Sequence, residues 1–421
     1  MPTCRILFGY LAAYTCVFDS ARRYTITPKT RLNIALIGYQ FMGKAHSNAW
    51  LSAPHYFDLP LNPQMKTLCG RDGAKVRATA KRWGWEGSQT DYRAVIADPE
   101  IDLVDICVPN NLHPEIVIAA AEAKKAVACE KPLARTLKEA RAMVAAVKKA
   151  KVPNFVWFNY RRVPAVAMAR RLVAAGRIGR IFHVRGLYLQ DWIKDPAIPL
   201  VWRLSKAVAG SGSHGDLCAH SIDMLRYITG DEFSEVCGIT ETFIKRRPVG
   251  QMLEGLTTNA AAIRGPQKMG KVDVDDAVWF LCRLKGGGVG TFEATRFATG
   301  HHNSNSIEIN GEKGSLRFDF PQFSFLEFFD DTLPVSEKGW RKISCTTGEH
   351  PYAGQYWPAG HPIGYAETFV NTAADIVLHY AGKTDSFHAN FEDGLRCQEV
   401  LEAVTVSAEE RRWVCLKELQ T

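Results

Sequence analysis

The chain has 421 residues, 46% of them hydrophobic and 23% charged, which is enough for two domains with separate cores and excludes a disordered, collagen-like or coiled-coil protein. Its formal charge of +8 comes from 52 basic and 44 acidic residues without Lys/Arg blocks. That pattern argues against a nucleic-acid or membrane patch and leaves an anionic ligand as a sufficient reading.

Residues 1–30 read as an extension outside the fold. Arg5, an apolar run over residues 6–18, and Arg22-Arg23 have about the length of a signal-peptide core, so a secretory reading is the alternative; no small-x-small cleavage site precedes Asp19. No other segment approaches the ~20 apolar residues of a spanning helix. The 11 cysteines are scattered without a CxxC pair, several in apolar runs, and read as buried thiols of a reducing cytosol.

Organisation begins at Arg31. Residues 32–38 predict a strand ending in glycine, and residues 42–50 continue as a helix. Gly38, Gln40 and Gly43 lie on the G-x-G-x-x-G template, with glutamine at the second glycine. Gly38 allows the turn, Gly43 the close packing of helix on strand, and the helix N-terminus offers N–H groups to a pyrophosphate. Taken alone, the template also fits a plain tight turn. A second strand over residues 65–69, a helix over 73–83 and a third strand over 103–108 imply a parallel sheet.

An acidic residue at the end of the second strand would bond an adenosine 2′-hydroxyl. Here Gly70-Arg71-Asp72 stands there. Arg71 suits a 2′-phosphate or is a solvated loop residue, and Asp72 is within reach of the ribose; the cofactor reading is NAD or NADP, leaning to NADP. After a helix over residues 114–123, a strand over 126–129 ends in Glu130-Lys131-Pro132. A lysine at the carboxyl end of a parallel strand sits in the crevice where α/β proteins bind ligands, and the proline stiffens its backbone. The bland alternative is one more surface lysine.

Asp216 opens a predicted helix on which His220, four residues on, shares its face. A carboxylate beside an imidazole suits a general base near neutral pH; a capping Asp and a core His are the plain alternative. Asp223 is only three beyond His220 and no second ligand cluster exists, so no metal is expected. Residues 278–284 and 289–296 around Gly286-Gly287-Gly288 predict a hairpin, and residues 306–310 and 315–320 a second.

GYQFMGKAH (residues 38–46), PNNLH (residues 109–113), Glu130-Lys131-Pro132 and Asp216-x-x-x-His220 together resemble the Gfo/Idh/MocA oxidoreductases, from about Arg31 to the C-terminus. Residues 159–162, 188–192, 202–206, 272–276 and 293–296 resemble members that oxidise an anhydrosugar with NAD. The resemblance implies an α/β chain: a Rossmann domain with a parallel sheet over residues 31–153, then an α+β domain with an open, mostly antiparallel sheet over 154–421. It implies an NAD(P)-dependent, cytoplasmic dehydrogenase, a homodimer or homotetramer, acting on a secondary hydroxyl of a sugar, levoglucosan-like anhydrosugar or cyclic polyol.

In that scheme His220 takes the hydroxyl proton, Asp216 orients His220, and Lys131 stabilises charge on the oxygen. Cofactor contacts are expected from Gly38, Gln40, Phe41, Met42, Gly43, Gly70, Arg71, Asn110, His113, Glu130 and Lys131, with Asn110 and His113 at the ribose or nicotinamide. Substrate contacts are expected from Lys131, Tyr160, Gln190, Trp192, Arg203, Lys206, Asp216 and His220. The chain departs from the family pattern at Gln40, at Cys218-Ala219 before the histidine, and at Gly70-Arg71. Two alternatives are a redox-assisted glycoside hydrolase or epimerase that keeps its nucleotide, and a non-catalytic nucleotide sensor, which would need none of Lys131, Asp216 and His220.

Overall fold

The computed structural model describes residues 30–250, 268–384 and 389–420. Apart from Thr30, the N-terminal extension expected from the sequence lies outside the described residues.

The first half alternates β1 (Arg31–Ile37), α1 (Phe41–Tyr56), β2 (Asn62–Cys69), α2 (Gly73–Trp83), β3 (Gly87–Gln89), α3 (Tyr92–Ala97), β4 (Leu103–Ile106), α4 (His113–Glu122), β5 (Ala126–Cys129), α5 (Leu137–Ala150) and β6 (Asn154–Val156). All strand pairs are parallel, in the order β3-β2-β1-β4-β5-β6. Every residue of β4 and β5 is buried, which is why these strands read as unbroken apolar runs: helices cover both faces. The order reverses between β1 and β4, and this is where a ligand crevice opens at the carboxyl ends of the strands. Local chemistry sets the helix ends. Asp72 caps α2 by accepting the Ala74 and Lys75 N–H groups at 3.1 Å each, and Thr136 caps α5 by accepting that of Glu139. The third predicted strand stops at Ile106, two residues early, because Pro109 and a 3₁₀ turn over Asn110–Leu112 take the chain out of the sheet.

The second half contains α6 (Pro164–Ala174), β7 (Ile181–Leu189), α7 (Lys206–Ala209), a π-turn (His214–Cys218), α8 (Ala219–Thr229), β8 (Phe233–Glu241), β9 (Arg246–Pro248), β10 (Met269–Lys271), β11 (Ala277–Leu284) and β12 (Val289–Thr295). It continues through β13 (Ser304–Gly311), β14 (Gly314–Asp319), β15 (Phe325–Asp330), β16 (Trp340–Ser344), α9 (Tyr365–Tyr380), α10 (Phe391–Glu410) and β17 (Val414–Cys415). The large sheet runs β16-β15-β14-β13-β7-β12-β11-β8-β17, antiparallel except where β12 pairs with β7. Both predicted hairpins are present, as β11–β12 and β13–β14.

Alternation shows which side of this sheet is covered. Val278, Phe280, Cys282 and Leu284 of β11 are buried, whereas Trp279, Leu281 and Arg283 point outward; α10 packs on the neighbouring β8. α9 packs on α1 and α10 on α5, so the C-terminal helices bind the two sheets together. Among the described residues no helix is long and apolar enough to cross a membrane.

Candidate active site

The turn after β1 has the shape a dinucleotide needs. Gly38 adopts φ +112°, and a Cβ there would stand 2.6 Å from the Cys107 carbonyl oxygen, while one on Gly43 would stand 2.4 Å from that of Gly38. Only glycine lets α1 start this close to the strand. Gln40 occupies the cap position without a side-chain cap bond, so the first-turn amides at Phe41, Met42 and Gly43 are not satisfied by the cap residue. These features fit a dinucleotide pyrophosphate at the N-terminus of α1.

At the end of β2 the Tyr39 ring lies over Gly70, where a Cβ would meet it at 2.1 Å. An acidic side chain therefore has no room at position 70 while Tyr39 keeps this place. Arg71 is exposed. Asp72, expected within reach of the ribose, spends one carboxylate oxygen on both capping bonds of α2.

Two expected nucleotide contacts are corrected. His113 is fully buried between the loops after β4 and β5, with Nδ1 3.2 Å from the Leu133 carbonyl and Nε2 3.0 Å from that of Val108, and a neutral ring donates its single N–H to one of the two. Burial pushes its pKa down, which keeps it neutral. Glu130 is likewise turned inward: one oxygen meets His46 Nε2 at 3.0 Å and the other accepts the Lys131 backbone N–H at 3.0 Å. Asn110 donates from Nδ2 to the Ala209 carbonyl at 2.9 Å and so reaches across to the second half.

Lys131 and Asp216 meet although they are 85 residues apart. The ammonium donates to the Asp216 carbonyl at 2.7 Å and to its carboxylate at 3.1 Å. Arg296, fully buried at the end of β12, brings Nη1 to 3.8 Å from the other carboxylate oxygen. Burial would raise the Asp216 carboxyl, but Lys131, Arg203 and Arg296 outweigh it and hold the group well below the usual carboxylate range.

His220 is 7% exposed, and burial followed by the Lys131 charge pushes its pKa well below 6.5, with Asp216 pulling the other way. It is therefore neutral at pH 7, the state a general base requires. The expected carboxylate–imidazole pair is corrected: among the described residues Asp216 makes no hydrogen bond to His220, and its carboxylate bonds Lys131 instead. The reason is local. Residues 214–218 form a π-turn, so the four-residue spacing does not stack the two side chains as an α-helix would. Asp275 anchors this turn by accepting the Gly212 and His214 amides at 2.7 and 2.8 Å and the Ser213 hydroxyl at 2.7 Å.

Aromatic and amide side chains surround the imidazole. The Tyr160 ring lies 4.5 Å from that of His220, and Tyr188 lies at 5.9 Å. A hydrogen-bonded line runs from the Tyr160 hydroxyl to that of Tyr188 at 2.9 Å, from Tyr188 to Asn303 Oδ1 at 2.8 Å, and from Gln190 Nε2 to the same oxygen at 2.8 Å. Trp192 is half-buried beside the Arg296 guanidinium, and Arg203 stacks on Trp202 at 4.4 Å. Burial lowers the Arg203 pKa, which Asp216 partly restores. Lys206 is corrected as a substrate contact: its side chain is 60% exposed and faces Glu409 at 3.9 Å.

Sequence reading missed Tyr188, Arg296 and Asn303. Tyr188 and Arg296 lie in stretches that carried the family resemblance, so that signal was present; Asn303 sits in a turn with no pattern.

Two family models match the chain, "Oxidoreductase family, NAD-binding Rossmann fold" over residues 32–158 and "GFO/IDH/MocA C-terminal domain" over residues 166–317. The levoglucosan dehydrogenase of Pseudarthrobacter phenanthrenivorans is 42% identical over 91% of this chain and 97% of its own length. An oxidoreductase domain protein from Kribbella flavida superposes with a TM-score of 0.86 at 49% identity, covering 92% of this chain and 99% of that one. A levoglucosan dehydrogenase in complex with NADH and levoglucosan superposes with a TM-score of 0.84 at 41% identity, with the same coverage. With a dinucleotide cradle on a parallel sheet and both family models in register with the two halves, the chain belongs to the Gfo/Idh/MocA family of oxidoreductases.

Proposed function

We propose that this chain oxidises a secondary hydroxyl of a sugar, an anhydrosugar or a cyclic polyol. The observation that carries this reading is the Lys131 ammonium, 3.1 Å from the Asp216 carboxylate, beside a buried and neutral His220. A bound NAD or NADP supplies the acceptor for the hydride. His220 accepts the hydroxyl proton at a ring nitrogen. Lys131 stabilises negative charge growing on the substrate oxygen, and Asp216 fixes the ammonium in place. Tyr160, Gln190, Trp192 and Arg203 offer ring faces and donors to a hydroxyl-rich ring. The relatives named for levoglucosan favour an anhydrosugar, and the nine described cysteines, all free, suit the cytosol.

The test is nicotinamide reduction measured with NAD and NADP against levoglucosan, glucose, xylose, inositols and glycosides. Turnover of at least one cyclic substrate is expected, and no reduction with any pair overturns the reading. Both nucleotides are expected to serve: with no carboxylate at Gly70, discrimination against NADP stays below the about tenfold that one charge-assisted hydrogen bond provides.

The outer sheet face is assigned to a second copy of the chain. Ile239 pairs in register with Trp279 and Cys237 with Leu281, and Ile239, Trp279, Leu281 and Val289 are 64, 37, 49 and 42% exposed. Arg283 and Glu235, 2.9 Å apart beside them, supply both signs of charge, as a two-fold contact requires. Light scattering is expected to give at least twice the chain mass, falling to one chain in Trp279→Lys/Leu281→Lys. A monomeric parent protein would refute the contact.

A further inference from the structure

His46 is an unusual core residue. It sits on α1 and is fully buried. Its Nδ1 lies 3.1 and 3.0 Å from the two oxygens of Asp105 on β4, and its Nε2 lies 3.0 Å from Glu130 Oε1 after β5. Asp105 also accepts the Trp50 and Trp157 indole N–H groups, each at 2.8 Å, so both its oxygens act as acceptors and Nδ1 must donate. The second Glu130 oxygen accepts the Lys131 N–H. One position is open in this network, the proton between His46 Nε2 and Glu130 Oε1.

We propose that this proton resides on His46, making it a buried imidazolium that bridges Asp105 and Glu130 and positions the Glu130-Lys131 turn from beneath. Two carboxylates flank one ring, and among the described residues no other side-chain cation pairs with them. The Trp157 ring at 4.0 Å and Phe369 of α9 at 5.7 Å carry no charge, and burial pushes the Cys107 and Cys129 thiols up, so they are neutral. With the proton on the ring, both ring nitrogens donate charge-assisted hydrogen bonds to carboxylates, one to Asp105 and one to Glu130. Burial opposes the imidazolium, yet Asp105 and Glu130 outweigh it and raise the ring to about 9. Because this exceeds the ordinary 6.5, the stability contributed is present in full below 6.5 and is lost as pH rises through about 9.

His46 is thus a positioning residue acting through Glu130 on the backbone that carries the Lys131 ammonium. The idea rests on the proposed dehydrogenase reading only for its effect on turnover. The first test is nitrogen-15 NMR of the histidine-labelled full chain at about pH 8, with the His46 signals identified as those lost in His46→Gln or moved in Glu130→Gln. Two protonated ring nitrogens are expected; one bare nitrogen, with the proton on Glu130, overturns the proposal.

The second test is a double-variant cycle. His46→Gln alone is expected to lower kcat about 100-fold through a displaced Lys131, with nucleotide affinity changed less than about threefold. His46→Gln/Glu130→Gln is expected to regain about tenfold, since the buried carboxylate leaves with its counter-charge. A merely packing role predicts additive losses, and that outcome also overturns the proposal. The spectra need no substrate: two-proton signals from a chain that oxidises no sugar support the imidazolium and refute the dehydrogenase reading.

Discussion

Replacing Lys131 with methionine is expected to lower kcat by about 10³, close to the effect of deleting a preorganised donor aimed at a developing oxyanion. Methionine keeps most of the volume, and Lys131 is 13% exposed, so the fold should persist and nucleotide affinity should change little. Asp216 stays ionised, because Arg203 and Arg296 still face it. His220 behaves differently. The Lys131 charge is one of the two influences that hold its pKa down, so the residual activity of the variant should lose its acid limb at a higher pH than the parent protein. Steady-state rates, nucleotide titration and a pH profile check the three statements together. A folded variant with unchanged kcat would remove Lys131 from the chemistry.

The parallel half of the fold was readable because β4 and β5 are short and wholly buried and its strands are separated by helices with clear stops, such as Gly84 closing α2 at φ +78°. The pieces of three residues, β3 and β6, carry too little pattern to stand out from loops. In the second half, glycine turns exposed the β11–β12 and β13–β14 hairpins. The position of β7 between β12 and β13 was not readable, since that pairing joins segments over a hundred residues apart and no local signal encodes it.

The same division runs through the site. Lys131 was legible because strand, charge and proline coincide at a place where ligands bind. Its partner was not, since the Lys131–Asp216 bond closes across 85 residues and depends on a π-turn that Asp275 anchors from the loop before β11. His113 followed its motif, yet its ring is buried between the Leu133 and Val108 carbonyls. Lys206 has the right chemistry for a sugar, but the four-residue α7 turns it to solvent. Arg296 gains meaning only in three dimensions, where it approaches Asp216 without solvent exposure.

Replacing His220 with asparagine separates the base from the rest of the site. General-base loss is expected to cost about 10²–10⁴ in kcat, and the acid limb of the pH profile should vanish with it. In the parent protein that limb should lie well below 6.5, because burial and Lys131 both disfavour the imidazolium. Asp216→Asn should move it lower still, since Asp216 is the group that raises the pKa. Stability carries the same sign. A His whose folded pKa is depressed takes up its proton first in the unfolded chain, so its contribution is complete above 6.5 and is lost as pH falls toward the folded value. Over that window the melting temperature of His220→Asn should therefore fall less than that of the parent. A parent acid limb at or above 6.5 that persists in His220→Asn would belong to another group, and the proton would then need another acceptor.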